Sequence, residues 1–232
     1  MKIAALILHF ELDHLTNALV EDLRRFGGSE IIVVDNGSSH AYPGDCDSYI
    51  CLDRNYYVTG GFNRGVAMHD QLDQPDAYWM LNNDISFDMD VLSPLVAVLE
   101  AHPDAAVVSP AVANTVHGHM HPRKDKALCE VAWVDWVAPL VRAEAWRDIG
   151  EFDERTRGNG LDLDWCYRAR QKGWRCYVEH KAIIEHEQGA TRRATGGHGI
   201  AHHATMEAVL TEKWGEEWRE KLRFTDAMIC RL

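Results

Sequence analysis

Residues 78–85 read Tyr-Trp-Met-Leu-Asn-Asn-Asp-Ile, and the predicted fold is built around this segment. A short apolar run that ends abruptly in polar side chains is typical of a buried strand in a parallel sheet. Ligands of open α/β sheets bind just outside the carboxyl ends of such strands. Asp84 therefore lies where a ligand, or a divalent cation that holds one, is expected. An ordinary Asn/Asp turn is the alternative for this stretch taken alone.

Composition narrows the class of protein. The chain has 232 residues, a hydrophobic fraction of 46% and a formal net charge of −12. The length allows one large domain or two small ones, and the negative charge argues against general nucleic-acid binding. No apolar run approaches the roughly 18 residues that span a membrane. Six cysteines without a C-x-x-C pair favour a cytoplasmic protein. Any membrane contact is expected to be peripheral, at the inner face of the membrane.

The pattern of residues 2–34 predicts a βαβ unit. An apolar run at residues 2–8 precedes leucines at helical spacing, which Gly27-Gly28 should end, and a second apolar run at residues 30–34 follows. The crossover between the two strands should be right-handed. Asp35 ends the second run, where it either accepts hydrogen bonds from a base or ribose or begins an Asx turn.

A glycine-containing segment at residues 55–65 follows another short predicted strand at residues 48–52. We expect the adjacent Gly60 and Gly61 to precede a helix at residues 62–72 and to let the backbone approach a ligand closely. The pattern matches neither the dinucleotide G-x-G-x-x-G motif nor a P-loop.

The second half of the chain is mixed and rich in loops, and we expect it to share one continuous sheet with the first half. Strands are predicted at residues 105–109, 131–141, 174–178 and 182–184, and helices at residues 91–101, 143–149, 162–172 and 202–222. Residues 111–130 lack periodicity, and residues 187–199 are predicted to form a mobile loop.

Two carboxylates, Asp162 and Asp164, flank Leu163 at the start of a predicted helix. Residues two apart on a helix do not share a face, so at most one of them points into a site. Asp162 follows a flexible Gly-Asn-Gly and suits a general base, which must reach a substrate hydroxyl. The alternative is that both simply favour a helix N-terminus.

Histidines give weaker signals. His186 ends a predicted strand and could complete a metal site begun by Asp84, although a lone histidine is more often an ordinary partly buried residue. His117, His119 and His121 alternate and would share one face if extended. No cysteine or acidic ligand completes that set, so zinc is disfavoured.

Aromatic and basic side chains could contact the substrate. Trp136, with other tryptophans of this half, could stack on a sugar ring, although core packing is the commoner fate of buried aromatic residues. Arg192 and Arg193 could hold a phosphate or contact an acceptor, or could simply be solvated.

The order of motifs along the chain resembles that of the family 2 nucleotide-sugar glycosyltransferases of GT-A fold, on the rhamnosyltransferase-like side. The resemblance covers about residues 3–190. The motifs are Asp-Asn-Gly-Ser-Ser at 35–39, Asn-x-Tyr-x-x-Gly-Gly-Phe-Asn-Arg-Gly at 55–65, Leu-Asn-Asn-Asp at 81–84, Arg-Ala-Glu-Ala-Trp at 142–146, Ile-Gly-x-Phe-Asp-Glu at 149–154, Leu-Asp-Leu-Asp-Trp-Cys-x-Arg-Ala-Arg-x-x-Gly-Trp at 161–174 and Ile-Ile-x-His at 183–186.

The resemblance implies an α/β fold with a Rossmann-like, mostly parallel central sheet flanked by helices, and a mixed acceptor-side half. It implies one domain over residues 1–232, with a nucleotide-sugar-binding half at 1–110, an acceptor and catalytic half at 111–200 and a helical tail at 201–232.

The resemblance also implies roles for individual residues. Asp162 matches the catalytic base, and Asp84 and His186 match the shell of a divalent metal, Mn²⁺ or Mg²⁺. The residues implied to contact the nucleotide or the donor are Asp35, Asn55, Gly60, Gly61, Asn63, Asn82, Asn83 and Asp84.

The implied function is that of an inverting glycosyltransferase, a hexosyl- or deoxyhexosyltransferase in polysaccharide or glycoconjugate synthesis. It would move a sugar from a nucleoside-diphosphate sugar to a hydroxyl of a saccharide or glycolipid. Asn82 and Leu161 stand where the family has acids, and they motivate the alternative of a non-catalytic nucleotide-sugar-binding relative. A sugar-1-phosphate nucleotidyltransferase is disfavoured because residues 9–15 hold no glycine-rich triphosphate loop.

Overall fold

The computed structural model describes residues 1–26, 29–195, 199–224 and 227–228. The predicted helix stop at Gly27-Gly28 lies outside these residues. Within them the strands are β1 Ile3–His9, β2 Glu30–Asp35, β3 Ser48–Cys51, β4 Ala77–Asn82, β5 Ile85–Ser86, β6 Ala105–Val112, β7 Leu128–Val131, β8 Leu140–Arg142 and β9 Arg175–His186. The α-helices are α1 Asp13–Phe26, α2 Tyr57–His69, α3 Leu92–Ala101, α4 Ala143–Ile149, α5 Leu161–Gln171, α6 Ala190–Thr195, α7 Gly199–Trp214 and α8 Trp218–Lys221, and 3₁₀ turns lie at Gly118–Met120 and Glu154–Thr156.

One sheet runs through both halves of the described chain. Its order is β3-β2-β1-β4-β8-β6-β9-β5, and β7 pairs with β9. The pairs β1–β2, β1–β4, β2–β3 and β6–β9 are parallel, whereas β8 lies antiparallel between β4 and β6. The expected α/β class with a mostly parallel sheet flanked by helices is confirmed.

The register of the central strands brings their polar ends together. Every residue of β1 is buried, as a strand flanked on both faces must be. His9 at its end is aligned with Asp35 of β2, and Leu8 is aligned with Asn82 of β4. The carboxyl ends of these three strands therefore form one edge, where a ligand is expected.

The glycines of α2 pack the helix against the sheet. The helix begins at Tyr57, so Gly60 and Gly61 lie in its first turns and do not precede it as the sequence predicted. A Cβ at Gly61 would lie 2.5 Å from Leu8 Cδ1, and one at Gly65 would lie 2.8 Å from Val34 Cγ2. The close approach that these glycines allow is thus between helix and sheet.

Predicted elements differ at four places in the second half. The helix predicted at residues 202–222 is divided into α7 and α8. Residues 131–141 form strand only at their ends, and Pro139 between them has no N–H to donate to a ladder. The two short strands predicted at 174–184 are one strand, β9. Part of the predicted mobile loop at 187–199 is the helix α6.

None of the helices in the described part of the chain is both long enough and apolar enough to cross a membrane.

Candidate functional site

The loop before α2 is fixed to the end of β2 by Asn36. The side chain of this buried residue accepts a hydrogen bond from the Tyr56 N–H (2.9 Å) and donates to the Tyr57 carbonyl (3.0 Å) and to Asn55 Oδ1 (3.2 Å). Asn55 Oδ1 also accepts from the Tyr57 N–H (2.7 Å). Asn55, predicted to line the donor pocket, therefore shapes this loop directly beside the strand end.

Asp35 is buried at the end of β2, and both of its carboxylate oxygens are engaged. Oδ1 accepts from the Ser38 N–H (2.9 Å), which makes the Asx turn left open by the sequence, and Oδ2 accepts from the Tyr49 hydroxyl (2.6 Å). Burial opposes the charged form, but the hydrogen bonds from Tyr49 and Ser38 outweigh it and lower the pKa of Asp35. Asp35 is therefore an ionised acceptor at neutral pH, and its contact with a nucleoside stays a prediction.

Asn63 links α2 to the loop that precedes α5. Its amide oxygen accepts from the Phe152 N–H (3.0 Å), and its amide nitrogen donates to the Phe152 carbonyl (3.0 Å). Gly60 packs close to Arg64, which binds Glu154 (2.6 Å) of the same loop. The structure thus gives Asn63 and Gly60 partners within the protein, and their predicted donor contacts remain predictions.

The end of β4 presents three polar residues. The Asn82 N–H donates to the Val137 carbonyl (2.9 Å), and its side chain is partly exposed. Asn83 is buried and donates to the Thr16 hydroxyl (3.1 Å). The Asp84 carboxylate points toward the end of β9, where it contacts His186.

Asp84 and His186, predicted as a pair, are brought together by the fold. Asp84 Oδ1 lies 3.1 Å from His186 Nε2, and the two side chains are 10% and 14% exposed. β5 positions the pair because Ile85 is aligned with His186. Asn114 fixes the backbone of His186 from both sides, with its Oδ1 accepting from the N–H (3.0 Å) and its Nδ2 donating to the carbonyl (2.8 Å). This pair offers one carboxylate and one imidazole to a cation.

Asp162 has the protonation behaviour of a general base. It lies partly buried in the first turn of α5, where its Oδ1 accepts from the Leu163 N–H (2.8 Å). Burial and the charge of Asp135 raise the pKa of Asp162 to about 7. A carboxyl group whose pKa is near the working pH is suited to accept a proton from a hydroxyl. Its role as the base stays a prediction.

Asp164 faces the opposite way and organises the C-terminal helix. It is 1% exposed and binds Arg168 (3.0 Å) and Lys213 (2.7 Å), while Trp214 donates its indole N–H to the same carboxylate (2.9 Å). Asp162 and Asp164 therefore point to different places, as the helix geometry predicted.

Asp135 is a polar residue near the site that sequence reasoning missed. It lies between β7 and β8, accepts a hydrogen bond from the Thr115 hydroxyl (3.1 Å) and lies 3.9 Å from His117 Nε2. Its isolation in an apolar stretch, between Val134 and Trp136, was the one signal that could have identified it.

Trp136 and Arg193, which were predicted to contact the substrate, have partners within the protein. Trp136 is 4% exposed, packs edge-on against Phe152 and Trp165, and directs its indole N–H to the Met80 sulfur. The Trp136 ring thus packs in the core, and its predicted contact with the acceptor stays a prediction. Arg193 is exposed and pairs with Glu187 (2.6 Å), next to His186. The side chain of Arg192 lies outside the described residues.

His117, His119 and His121 each contact a different group of the protein. His119 Nε2 donates to the Trp133 carbonyl (3.1 Å), and burial lowers the pKa of His119 to about 4. His121 bonds to the Thr115 carbonyl (2.8 Å), and His117 faces Asp135. Among the described residues, a group of three side chains with ligand atoms close enough together for one cation is formed by Glu30, His69 and Asp73. That group lies at the amino ends of the strands, away from Asp84.

The sequence of the chain is similar to those of known glycosyltransferases. No model of a known protein family matches the chain. The chain is 32% identical over 96 residues to an N-acetylglucosaminyl-diphospho-decaprenol L-rhamnosyltransferase of Mycobacterium tuberculosis, which is 41% of this chain and 31% of the relative. It is 28% identical over 194 residues to the pre-mycofactocin glycosyltransferase of the same species, which is 73% of this chain and 39% of that relative. The chain thus spans about a third of the length of one relative and about two fifths of the other.

A solved structure shows the same architecture. The crystal structure of GalNAc-T7 with UDP, GalNAc and Mn²⁺ matches with a TM-score of 0.65 over 96% of this chain and 54% of that chain, at 12% identity. At that identity the match establishes the fold alone. The GT-A fold and the resemblance to rhamnosyltransferase-like glycosyltransferases are confirmed.

Proposed function

We propose that this chain of GT-A fold is an inverting glycosyltransferase that moves a sugar from a nucleoside-diphosphate sugar to an acceptor hydroxyl. The observation that carries the proposal is the 3.1 Å contact of Asp84 with His186 at the edge where β1, β2 and β4 end. A ligand of an open α/β sheet binds at this edge. The similarity to a rhamnosyltransferase and to another glycosyltransferase supports the same reaction class.

The donor half of the site is formed by the strand ends. Asp35 is an ionised acceptor suited to hydroxyl or N–H groups of a nucleoside. Asn55, held by Asn36, shapes the loop beside it. Asn82 keeps a partly exposed amide at the end of β4. These residues would orient the nucleotide so that its sugar lies toward Asp162.

Asp84 and His186 would hold a divalent cation, and their donor set fits one. A mixed carboxylate and imidazole pair suits Mn²⁺ better than Mg²⁺, which prefers oxygen ligands alone. When bound, such a cation neutralises charge that builds on a leaving diphosphate. Asn82 in place of an acid removes one negative charge from this shell, so we expect a site that is weaker than one with two acids.

Asp162 would accept the proton of the acceptor hydroxyl. The hydroxyl oxygen then bonds to the anomeric carbon from the face opposite the diphosphate, and the bond from that carbon to the diphosphate oxygen breaks. One displacement inverts the anomeric centre. The proton leaves Asp162 for solvent before the next cycle, which a pKa of about 7 permits.

The acceptor is proposed to be a saccharide or a glycolipid. The name of the rhamnosyltransferase relative specifies a lipid-linked sugar for that protein. Whether this chain takes a free or a lipid-linked saccharide is decided by assay with both.

Calorimetry with UDP, dTDP and GDP, with and without Mn²⁺, tests the donor site. We expect one nucleotide to bind with a requirement for Mn²⁺. Binding without metal dependence would keep the nucleotide pocket and remove the role of Asp84 and His186 in holding a cation. Absence of binding by all three would contradict the transferase proposal.

The alternative is a nucleotide-sugar-binding relative without catalysis, which Asn82 and Leu161 motivate. Incubation of the protein with the matching nucleotide sugar and a panel of saccharide and glycolipid acceptors separates the two. Formation of a glycosylated product excludes the binding protein. Tight donor binding with neither transfer nor donor hydrolysis would favour it.

A further inference from the structure

Two residues beside the proposed donor site have a left-handed backbone although neither is glycine. Tyr57 begins α2 with a φ of +59°, and Arg157 follows the second 3₁₀ turn with a φ of +60°. The left-handed region is unfavourable for residues that carry a Cβ, and a bulky residue there is an outlier. Strain of this kind clusters at active sites and ligand clamps. The side chains of Tyr57 and Arg157 are therefore candidates for a functional role.

The two residues contact each other next to the ends of β1 and β2. The Val58 N–H donates to the Arg157 carbonyl (3.0 Å), and the guanidinium carbon of Arg157 lies 5.0 Å from the centre of the Tyr57 ring. The Tyr57 carbonyl accepts from Asn36 Nδ2 (3.0 Å), and the Asn36 N–H donates to the carbonyl of His9, the last residue of β1 (2.8 Å). A short series of contacts thus joins Arg157 to the edge where the donor is proposed to bind.

Arg157 carries a positive charge that the described part of the protein does not neutralise. Arg155, two residues earlier, pairs with Asp153 (2.7 Å) and with Glu212 (2.8 Å). Arg157 is exposed, and it forms no ion pair with any residue that the structure describes. A guanidinium over an aromatic face is held in orientation while its N–H donors stay directed outward in the plane of the group. Arg157 therefore offers an oriented cation to a ligand.

A diphosphate at this edge needs such a cation. The chain has a net charge of −12, and Asp35 and Asp84 both lie where the strands end. Carboxylates repel an anionic ligand unless cations nearby offset their charge. The planar fork of an arginine side chain matches two oxygens of a phosphate group.

We propose that the Arg157 guanidinium, oriented by the Tyr57 ring, binds the diphosphate of the nucleotide-sugar donor. The inference rests on the proposed function and names a substrate-binding residue of the same site. The resemblance gave Arg157 no role, because it lies between the motifs at 149–154 and 161–174. Arg157 would share the charge of the leaving diphosphate with the cation proposed at Asp84, where Asn82 in place of an acid is expected to weaken the hold on the metal.

Calorimetry with the preferred nucleoside diphosphate tests the inference, with the free nucleoside measured by competition and Mn²⁺ kept saturating throughout. Arg157→Gln should lower the affinity for the diphosphate by about 10 to 100-fold, which is typical of a lost hydrogen bond to a charged group. It should leave the affinity for the nucleoside unchanged. Arg25→Gln is the matched control and should bind as the wild type does. Arg25 is an exposed arginine over the ring of Phe26 (5.2 Å), in the last turn of α1.

Two further variants separate binding from loop structure. Glycine adopts a φ of +60° without strain, so Arg157→Gly should unfold in urea at a midpoint no lower than that of the wild type while it loses the same affinity for the diphosphate. Arg157→Lys keeps the charge without the planar fork and should recover part of that affinity.

Unchanged diphosphate affinity in Arg157→Gln would overturn the inference. An equal loss of affinity for the nucleoside and for the diphosphate would also overturn it, as would a lower urea midpoint in Arg157→Gly, because Arg157 would then only shape the loop. Absence of diphosphate binding by the wild type would contradict the proposed function itself. Wild-type binding that Arg157→Gln leaves intact would remove Arg157 alone.

Discussion

The Asp84 carboxylate and the His186 imidazole meet at 3.1 Å, although β4 and β9 belong to opposite halves of the chain. The antiparallel pairing of β5 with the end of β9 brings them together. Both side chains are largely buried, so the fold holds the two groups together before any ligand that they are proposed to share has bound.

Replacement of Asp84 by Ala should remove the Mn²⁺-dependent part of nucleotide binding. Loss of an outer-shell partner typically costs a metal site 10 to 100-fold in affinity, so loss of a direct ligand should cost more than about 100-fold. Calorimetry with the preferred nucleoside diphosphate and Mn²⁺ measures this. Asp88→Ala removes an exposed carboxylate nearby and should bind as the wild type does. Equal affinity in Asp84→Ala would show that the cation is held elsewhere.

Replacement of Asp162 by Asn should abolish transfer and spare donor binding. A general base contributes about 10² to 10⁴-fold to the rate, so kcat should fall by that factor. Because Asp162 must be ionised to act and its pKa is raised to about 7, wild-type activity should rise as the pH increases through 7. A pH–rate profile of kcat/KM, with donor binding measured in parallel, tests this. A profile without a limb near 7 would contradict the assignment.

The same raised pKa has a consequence for stability. The folded protein keeps the Asp162 proton up to about pH 7, whereas the unfolded chain releases it near the ordinary value of 3.8. The folded state thus binds more protons between these values, and its stability falls as the pH rises through that window. Asp162→Asn should therefore be more stable than the wild type at pH 8 by about 4 kcal/mol, and nearly equal to it at pH 4. Urea unfolding at the two pH values measures the difference, and a variant less stable at pH 8 would refute it.

Removal of Asp164 should destabilise the protein strongly. Its carboxylate is 1% exposed and forms ion pairs with both Arg168 and Lys213. Loss of one partner of a buried ion pair costs about 3 to 5 kcal/mol, because a charge is left without compensation. Urea unfolding of Asp164→Ala measures this loss. Asp125→Ala, which breaks an exposed pair, should cost less than about 1 kcal/mol, and comparable losses in both variants would count against the buried network.

Gly160 should resist substitution. It precedes α5 with a φ of +76°, and a Cβ there would lie 2.6 Å from Met206 Cγ of α7. The left-handed backbone alone costs an L-residue about 1 to 2 kcal/mol, and the contact adds to this. Gly160→Ala should therefore lower the melting temperature clearly, whereas Gly118→Ala, with no atom within 4 Å of its Cβ position, should not. A melting temperature of Gly160→Ala equal to that of the wild type would mean that α7 can shift to make room.

Local patterns predicted most of the elements and the pair at the centre of the site. The helix at Ala143–Ile149 and the buried strands β1, β2 and β4 follow from apolar periodicity, and the strand-end rule led to Asp84 and His186. Asp135 could not be found in this way. Its neighbours Thr115 and His117 are more than ten residues away in sequence, and only the folded chain brings them to it.

The same limit explains Trp136 and the glycines of α2. An aromatic residue has the same local sequence signature whether it binds a sugar or fills a core, and the packing around Phe152 and Trp165 decides for the core. Gly61 has the signature of a residue that approaches a ligand, but its close neighbour is Leu8 of β1. Whether such a residue contacts a ligand or packs within the protein depends on tertiary contacts, which local sequence does not reveal.

The two-sided amide bond of Asn63 with the Phe152 backbone sets a rule for exchanging parts between relatives. This bond joins α2, in the proposed donor half, to the loop that leads into α5, which carries the proposed base Asp162. A chimera cut between the halves near residue 110 keeps a working register only if residue 63 and the loop around residue 152 come from compatible parents. If the proposed function is right, the donor-binding half and the acceptor-binding half cannot be exchanged independently between relatives.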